Sequence, residues 1–286
     1  MGTAKLTGPA ATGAARSGYD PAFFARLYAI EDRHFWFRSR NRVIGSLVRR
    51  VTAGLAPGYR VLEVGCGTGN TLRVVEQACP HGTVTGMDLF AEGLLFARSR
   101  TACPLVCGDM HAPPFDARFE LIGLFDVLEH LPDDLQVLRD LHAMLAPGGV
   151  LLLTVPAHPS LWSYFDEASH HCRRYEAADL ERKLTGAGYR VEYATEYMAG
   201  IFPLVWLGRR LSGLARRRSL DTSASGRDGA DRARLLATDE LRIIPGVNAL
   251  LSLLLAPEAP LIARGRRLPI GSSIVAVARK SSLPAA

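Results

Sequence analysis

The sequence predicts an α/β fold, a doubly wound sheet of parallel strands with helices on both faces, and three observations carry that expectation. From Tyr59 onward, short apolar runs alternate with amphipathic stretches of helical spacing. A glycine-rich corner, "VGCGTGN" (64–70), follows the first apolar run directly, as where a strand hands over to a helix beside a ligand. The run "VLLLTVPA" (150–157) is apolar at almost every position, as a central strand covered on both faces must be.

Taken in order, residues 1–18 are mostly small, with two basic residues among them and none of the apolar stretch a secretion signal carries, so a disordered tail is expected there. Residues 19–51 repeat apolar and aromatic side chains at three- and four-residue spacing (Phe23, Leu27, Tyr28, Val43, Leu47, Val48) and read as helical. "YRVLEV" is a strand, "TGNTLRVVEQAC" a helix launched from the corner, "GTVTGMD" a second strand ending in Asp88, and "LFAEGLLFARSR" a helix. "CPLVCGD" is a third strand and "FELIGLFDVLEHL" carries a fourth. "PDDLQVLRDLHAMLAPGG" is a helix with Pro132 and two aspartates at its start and Gly148–Gly149 as its stop. After the "VLLLTVPA" strand come the helix "AADLERKLTGAGY", the strand "RVEYATEY" and, much later, the strand "SSIVAVARK". Between those last two strands lie two apolar helical segments, separated by a Gly/Ser/Asp/Arg-rich linker over 219–234 that is expected to be mobile.

The 286 residues are 48% hydrophobic and 22% charged, enough apolar material for a sizeable core. No uninterrupted run of about 18 apolar residues occurs, so a bilayer-spanning helix is not expected. Five cysteines, odd in number and without a CxxC pair, point to reduced thiols in the cytoplasm rather than a disulfide framework or a zinc site. The net charge of +6 is concentrated in "GRRLSGLARRR" and "ARGRRLP". No aromatic residues interleave there to stack on bases, so nucleic acid is not the expected partner; an anionic membrane surface or a plainly solvated face suits these runs better.

The glycines Gly65, Gly67 and Gly69 are spaced GxGxG, not the GxGxxG of a dinucleotide fold. Glu63, near the end of the first strand, is a poor neighbour for a pyrophosphate and a good one for a cationic amino-acid end. Asp88 stands where a carboxylate can accept bonds from both hydroxyls of a ribose, and Asp109 and Met110, after the third strand, can flank an adenine.

On "VLEVGCGTG", "VTGMDLF", "CGDMHAPPF", "FDVLEHLPDD" and "LAPGGVLLLTVPA", in that order, the sequence resembles the class I S-adenosylmethionine-dependent methyltransferases. The resemblance is close over 59–156 and looser over the rest of the fold. It implies a Rossmann-like sheet of seven strands with the last antiparallel, inserted between the fifth and sixth, and "SSIVAVARK" would be that strand. The organisation expected is a tail (1–18), an N-terminal helical lid (19–55), a methyltransferase core (56–198 and 270–280) and a helical, apolar and basic insertion (199–269). The resemblance implies S-adenosyl-L-methionine as cofactor. Gly65 and Gly67, with Cys66 between them, would let it approach the backbone, and Glu63 would serve its methionine amino end through water. Asp88 would bind the ribose, Leu89 would pack on the adenine, Asp109 and Met110 would hold the adenine edge, and Phe125 or Asp126 would line the methionine side. Met110 and Leu89 could equally be core.

Methyl transfer from a sulfonium is an in-line displacement with a neutral leaving group, so a base is needed only where the acceptor has a proton to lose. Two stretches are candidates for the acceptor's surroundings. "EDRHFWFRSRN" (31–41) places His34, Trp36 and Arg38 in the lid near the site. "PAHPSLWSYFDEASHHCRRY" (156–175) crowds Asp166, His170, His171, Arg173, Arg174 and Tyr175 into the loop after the fifth strand. His171 and, just beyond the fourth strand, His130 are the candidate proton acceptors. The arginine pair would suit an anionic acceptor, and the ligand spacing argues against a metal. The same loop could instead close on itself through salt bridges.

The expected acceptor is a small or lipid-like molecule. Residues 199–269 are too apolar for an open surface, which fits peripheral membrane contact at the inner face or a homodimer interface. Two alternative readings are a non-catalytic S-adenosylmethionine-binding protein and, opposed by the GxGxG spacing and Glu63, a dinucleotide-dependent oxidoreductase. A nucleic-acid methyltransferase is disfavoured because "FDVLEH" stands where an Asn-Pro-Pro-aromatic element would follow the fourth strand.

Overall fold

The computed structural model describes residues 23–219 and 242–281. The expected tail, and all of the expected linker past Ser219, lie outside the described residues. The N-terminal helical region is two helices, α1 (Phe23–Ile30) and α2 (Phe35–Thr52), not one. The break is built by its side chains. Glu31 turns inward to Thr68 and to the Arg100 guanidinium, which also lies over the Tyr28 ring at 4.2 Å. His34 then caps α2, its Nδ1 accepting from the Trp36 N–H.

Seven strands follow in the order the patterns predict: β1 (Arg60–Val64), β2 (Thr83–Asp88), β3 (Leu105–Cys107), β4 (Phe119–Phe125), β5 (Leu145–Pro156), β6 (Tyr189–Tyr197) and β7 (Ser273–Lys280). Their order in the sheet is β3-β2-β1-β4-β5-β7-β6, parallel except for β7, which runs antiparallel to both its neighbours. On one face, α2 and α3 (Asn70–Ala78) bury Val43, Ile44, Leu47, Leu72 and Val75, with Leu94 of α4 (Ala91–Ala97) in the same cluster. On the other, α5 (Asp134–Met144) buries Val137, Leu138 and Leu141. Beyond the short α6 (Tyr164–Ala168), α7 (Ala177–Gly186) completes that face with Leu180 and Leu184. Burial at this density is the main support of the fold, about 1.5–3 kcal/mol for each large side chain.

The glycine pair at 148–149 does not stop α5. The helix ends at Met144, where Leu145 turns extended and pairs with Phe119, and both glycines lie inside β5. The Lys280 ammonium takes over the helix end, donating to the carbonyls of His142 and Leu145.

Between β6 and β7, α8 (Phe202–Ser219), α9 (Pro245–Leu255) and α10 (Glu258–Ala263) follow a short turn at Ala199–Ile201. Pro245–Ala263 is long and apolar enough to cross a membrane, contrary to the sequence expectation. It bends after Leu255, however, and Leu255, Ala259 and Ile262 are buried in the same cluster as α2. Asn248 ties α9 to the start of α2, accepting from the Phe35 N–H and donating to the Arg33 carbonyl. Glu258 accepts from the Met198 and Gly200 N–H groups. The outward faces of α8 and α9 are bare, with Leu204, Trp206, Leu207, Leu250 and Leu253 exposed.

Candidate active site

A cavity of about 730 Å³ runs along the carboxyl ends of the strands, roofed by α1 and α2 and closed at its far end by the loop after β5 and by α8. Its floor is the glycine corner. Gly65, Gly67 and Gly69 have φ of +73°, +49° and +78°, a region that favours glycine. At Gly65 a Cβ would sit 2.4 Å from the Val127 side chain, and at Gly69 it would sit 2.9 Å from the Ala97 backbone. Gly67 has room, so its turn, not crowding, selects glycine there.

Asp88 braces this corner. One carboxylate oxygen accepts from the Gly67 N–H at 2.7 Å and the other from the Phe90 N–H at 2.8 Å. Burial raises its pKa to about 6, against the pull of those N–H groups. Glu63 is 2% exposed, and its Oε2 has no hydrogen-bond partner among the described residues. Burial lifts its pKa well above the usual range, with Arg40 opposing and Asp88 adding to the rise. A buried carboxylate oxygen left bare at a cavity wall fits a cationic ligand group. Cys66, Leu89, Asp109, Met110 and Phe125 all line the same cavity, so the structure brings together every residue expected to hold the cofactor. Asp109 also accepts from the His111 N–H, which fixes its turn.

His34 and Trp36 line the cavity, but Arg38 is exposed and does not reach it. The arginine of α2 that does is Arg40, which sequence reasoning missed. It pairs with Asp126 at 2.8 Å, donates to Thr71 Oγ1 at 2.6 Å and lies 5.0 Å from the Trp36 ring. Burial disfavours its charge, but Asp126 outweighs that and raises its pKa. Asp126 is itself held at φ +54°, uncommon for a residue with a side chain. Arg40→Ala strands this aspartate. It is expected to lower stability by about 3 kcal/mol, seen as a fall in the denaturation midpoint; Arg40→Lys should recover only part of that.

At the far end, the loop after β5 does close on itself. Asp166, with no exposed side-chain surface, caps α6 through the Ser163 N–H and hydroxyl. It also accepts from Arg174 Nε at 2.7 Å and faces His171 Nδ1 at 2.9 Å. Burial pushes its pKa up, but His171 and Arg174 outweigh that and hold it below the usual value. The expected arginine pair is split, because successive residues of an extended stretch face opposite ways. Arg174 stays at the cavity, committed to Asp166 and the Ala157 carbonyl, while Arg173 and Tyr175 turn to Asp134. No paired anion clamp results. His130 and His171 meet edge to face at 4.7 Å, beside Glu129. Burial and the neighbouring His171 lower the His130 pKa to about 3, so its imidazole is neutral at pH 7.

The profile of a methyltransferase domain family matches residues 35–194. A trans-aconitate 2-methyltransferase of Azoarcus sp. is 33% identical over 151 residues, 52% of this chain and 56% of its own length. A demethylmenaquinone methyltransferase of Staphylococcus aureus is 32% identical over 141 residues, 47% and 55% of the two chains. The chain thus spans little more than half the length of these curated relatives. Among solved structures, phosphoethanolamine N-methyltransferase 2 of Haemonchus contortus, in complex with S-adenosyl-L-methionine, superposes with a TM-score of 0.54 at 18% identity. That superposition covers 96% of this chain and 61% of the other, and it shows a shared fold.

Proposed function

The chain belongs to the methyltransferase domain family, of the class I S-adenosylmethionine-dependent type, and on that premise we propose that it methylates a small, apolar or lipid-like acceptor whose reacting atom meets the wall of His130 and His171. The observation that carries this reading is a single cavity with two chemically different ends. One end has the glycine corner, the bare Glu63 carboxylate and Asp88; the other has two imidazoles and the apolar side chains Phe165, Ile201 and Val205.

Bound at the first end, S-adenosylmethionine supplies a sulfonium methyl and a leaving group that departs as a neutral thioether. The chain's own task is alignment and exclusion of water. Asp88 accepts from the ribose hydroxyls, Glu63 balances the ammonium of the methionine end, and Asp109 with Met110 and Leu89 holds the adenine. The Arg40–Asp126 pair fastens the lid over the methionine side. His171 manages the acceptor's proton, with the neutral His130 imidazole packed against it.

The apolar outer faces of α8 and α9, with the exposed Arg210 on α8, favour delivery of the acceptor from an anionic bilayer surface, and α8 itself lines the cavity through Val205 and Arg209. The test is to incubate extracted metabolites with methyl-labelled donor and read the aqueous and lipid fractions separately. Label in the lipid fraction is expected. Label in neither fraction favours a non-catalytic binding protein.

One pH dependence follows from Asp88. Its folded pKa of about 6 stands above the ordinary aspartate value, and the ribose hydroxyls need the ionised form as acceptor. Affinity for S-adenosylhomocysteine is therefore full above pH 6 and falls as pH drops through 6, by at most about tenfold per unit. Calorimetry between pH 5 and 8 checks it, and a flat profile there removes Asp88 from the ribose.

A further inference from the structure

We propose that Glu129, His130 and His171 form a binding site for one divalent cation of zinc-like ligand preference, in the acceptor wall of the cavity. A carboxylate oxygen and two imidazole nitrogens, one from each residue, lie within 4.8 Å of one another. A cation closes that spread by drawing them in to its bonds of about 2.0–2.2 Å.

Two observations point independently to a ligand here. Glu129 is 1% exposed, yet its Oε2 has no hydrogen-bond partner among the described residues; a buried acceptor without a partner is rare in folded chains. His171, for its part, is oriented as ligating histidines are. Its Nδ1 faces Asp166 Oδ1, which fixes the ring and leaves Nε2 for the ion. Asp166 is immobilised in turn by Ser163 and Arg174. Two nitrogens and one carboxylate, with a further position open to the cavity, is the donor set of a catalytic zinc site rather than a structural one.

The spacing that argues against a metal in the sequence concerns the loop after β5 alone. The other two ligands come from the turn after β4, and the Cys172 N–H stitches loop to turn by donating to the Glu129 carbonyl at 2.7 Å.

This inference rests on the methyltransferase reading and deepens it: the imidazoles act on the acceptor's proton by holding the ion, not by taking the proton themselves. An acceptor hydroxyl that coordinates there has its pKa lowered and loses its proton to water. The experiment uses the full chain, stripped with a chelator and titrated with Co²⁺ as a spectroscopic probe. The expected result is uptake of one equivalent with the visible bands of a low-coordinate site, displaced by Zn²⁺. Asp166→Asn, which reaches the proposed ligands through His171, should weaken Co²⁺ binding by about 10–100-fold. Glu129→Gln and His171→Ala should each weaken it at least as much. If Glu129→Gln fails to fold, His171→Ala carries the same comparison. Stripped protein that takes up no stoichiometric Co²⁺, or uptake that survives the ligand substitutions, overturns the proposal. S-adenosylhomocysteine binding measured on the same stripped protein separates the two readings. Binding without Co²⁺ uptake sinks the cation site alone, whereas Co²⁺ uptake without binding sinks the methyltransferase reading alone.

Discussion

Replacing Asp88 by alanine is expected to weaken S-adenosylhomocysteine binding by about a hundredfold or more, the largest effect on cofactor affinity of any single side chain in the site. The proposed contacts are two hydroxyl bonds to one buried carboxylate. Hydrogen bonds to charged groups contribute about 1.5–3 kcal/mol each, and every 1.4 kcal/mol is about tenfold in affinity. The same carboxylate braces the Gly67 and Phe90 N–H groups, so its loss also slackens the corner that the cofactor must approach. Asp88→Asn keeps a neutral acceptor of similar shape and should fall between parent and alanine. Calorimetry decides it: if alanine at this position leaves affinity within about threefold of the parent, the nucleoside sits elsewhere.

The second large effect is on turnover. His171→Ala should lower kcat by about 10²–10⁴ on an acceptor that has a proton to lose, the range for removing a proton-handling side chain, while S-adenosylhomocysteine affinity stays at the parent value. That split is informative because His171 stands in the cavity wall with His130 and Glu129, away from the glycine corner. The assay is initial rate on the metabolite fraction that takes label. An equal loss in cofactor affinity would show that the substitution had collapsed the cavity rather than removed chemistry.

Much of the sheet was legible because its signals are local. The strands announce themselves by apolar runs, the corner by glycines whose positive φ is a property of the backbone, and Asp88 by its place at a strand end. The expected place of β7 between β5 and β6 also holds, though the resemblance supplied it and no local pattern could. What was missed depends on partners distant in the chain. Arg40 differs from Arg38 in the sequence only by two positions. Half a helical turn separates them, and Asp126, 86 residues on, is what makes Arg40 the cavity residue. The break between α1 and α2 is set by Thr68 and Arg100. Adjacent Arg173 and Arg174 looked like one clamp, yet they serve different aspartates on opposite sides of the loop.

The position of β7 has a consequence for biosynthesis. It pairs with β5 along 150–156 and with β6 along 189–197, but residues 198–272 must leave the ribosome before it does. Until then β5 presents a bare edge and β6 has nothing to pair with, and an unpaired apolar strand invites association with other nascent chains. Ser272 and Ser273, which line the cavity, arrive with it. The pocket is therefore finished only once β7 has emerged, and until then the polypeptide's own sheet leaves that edge unshielded.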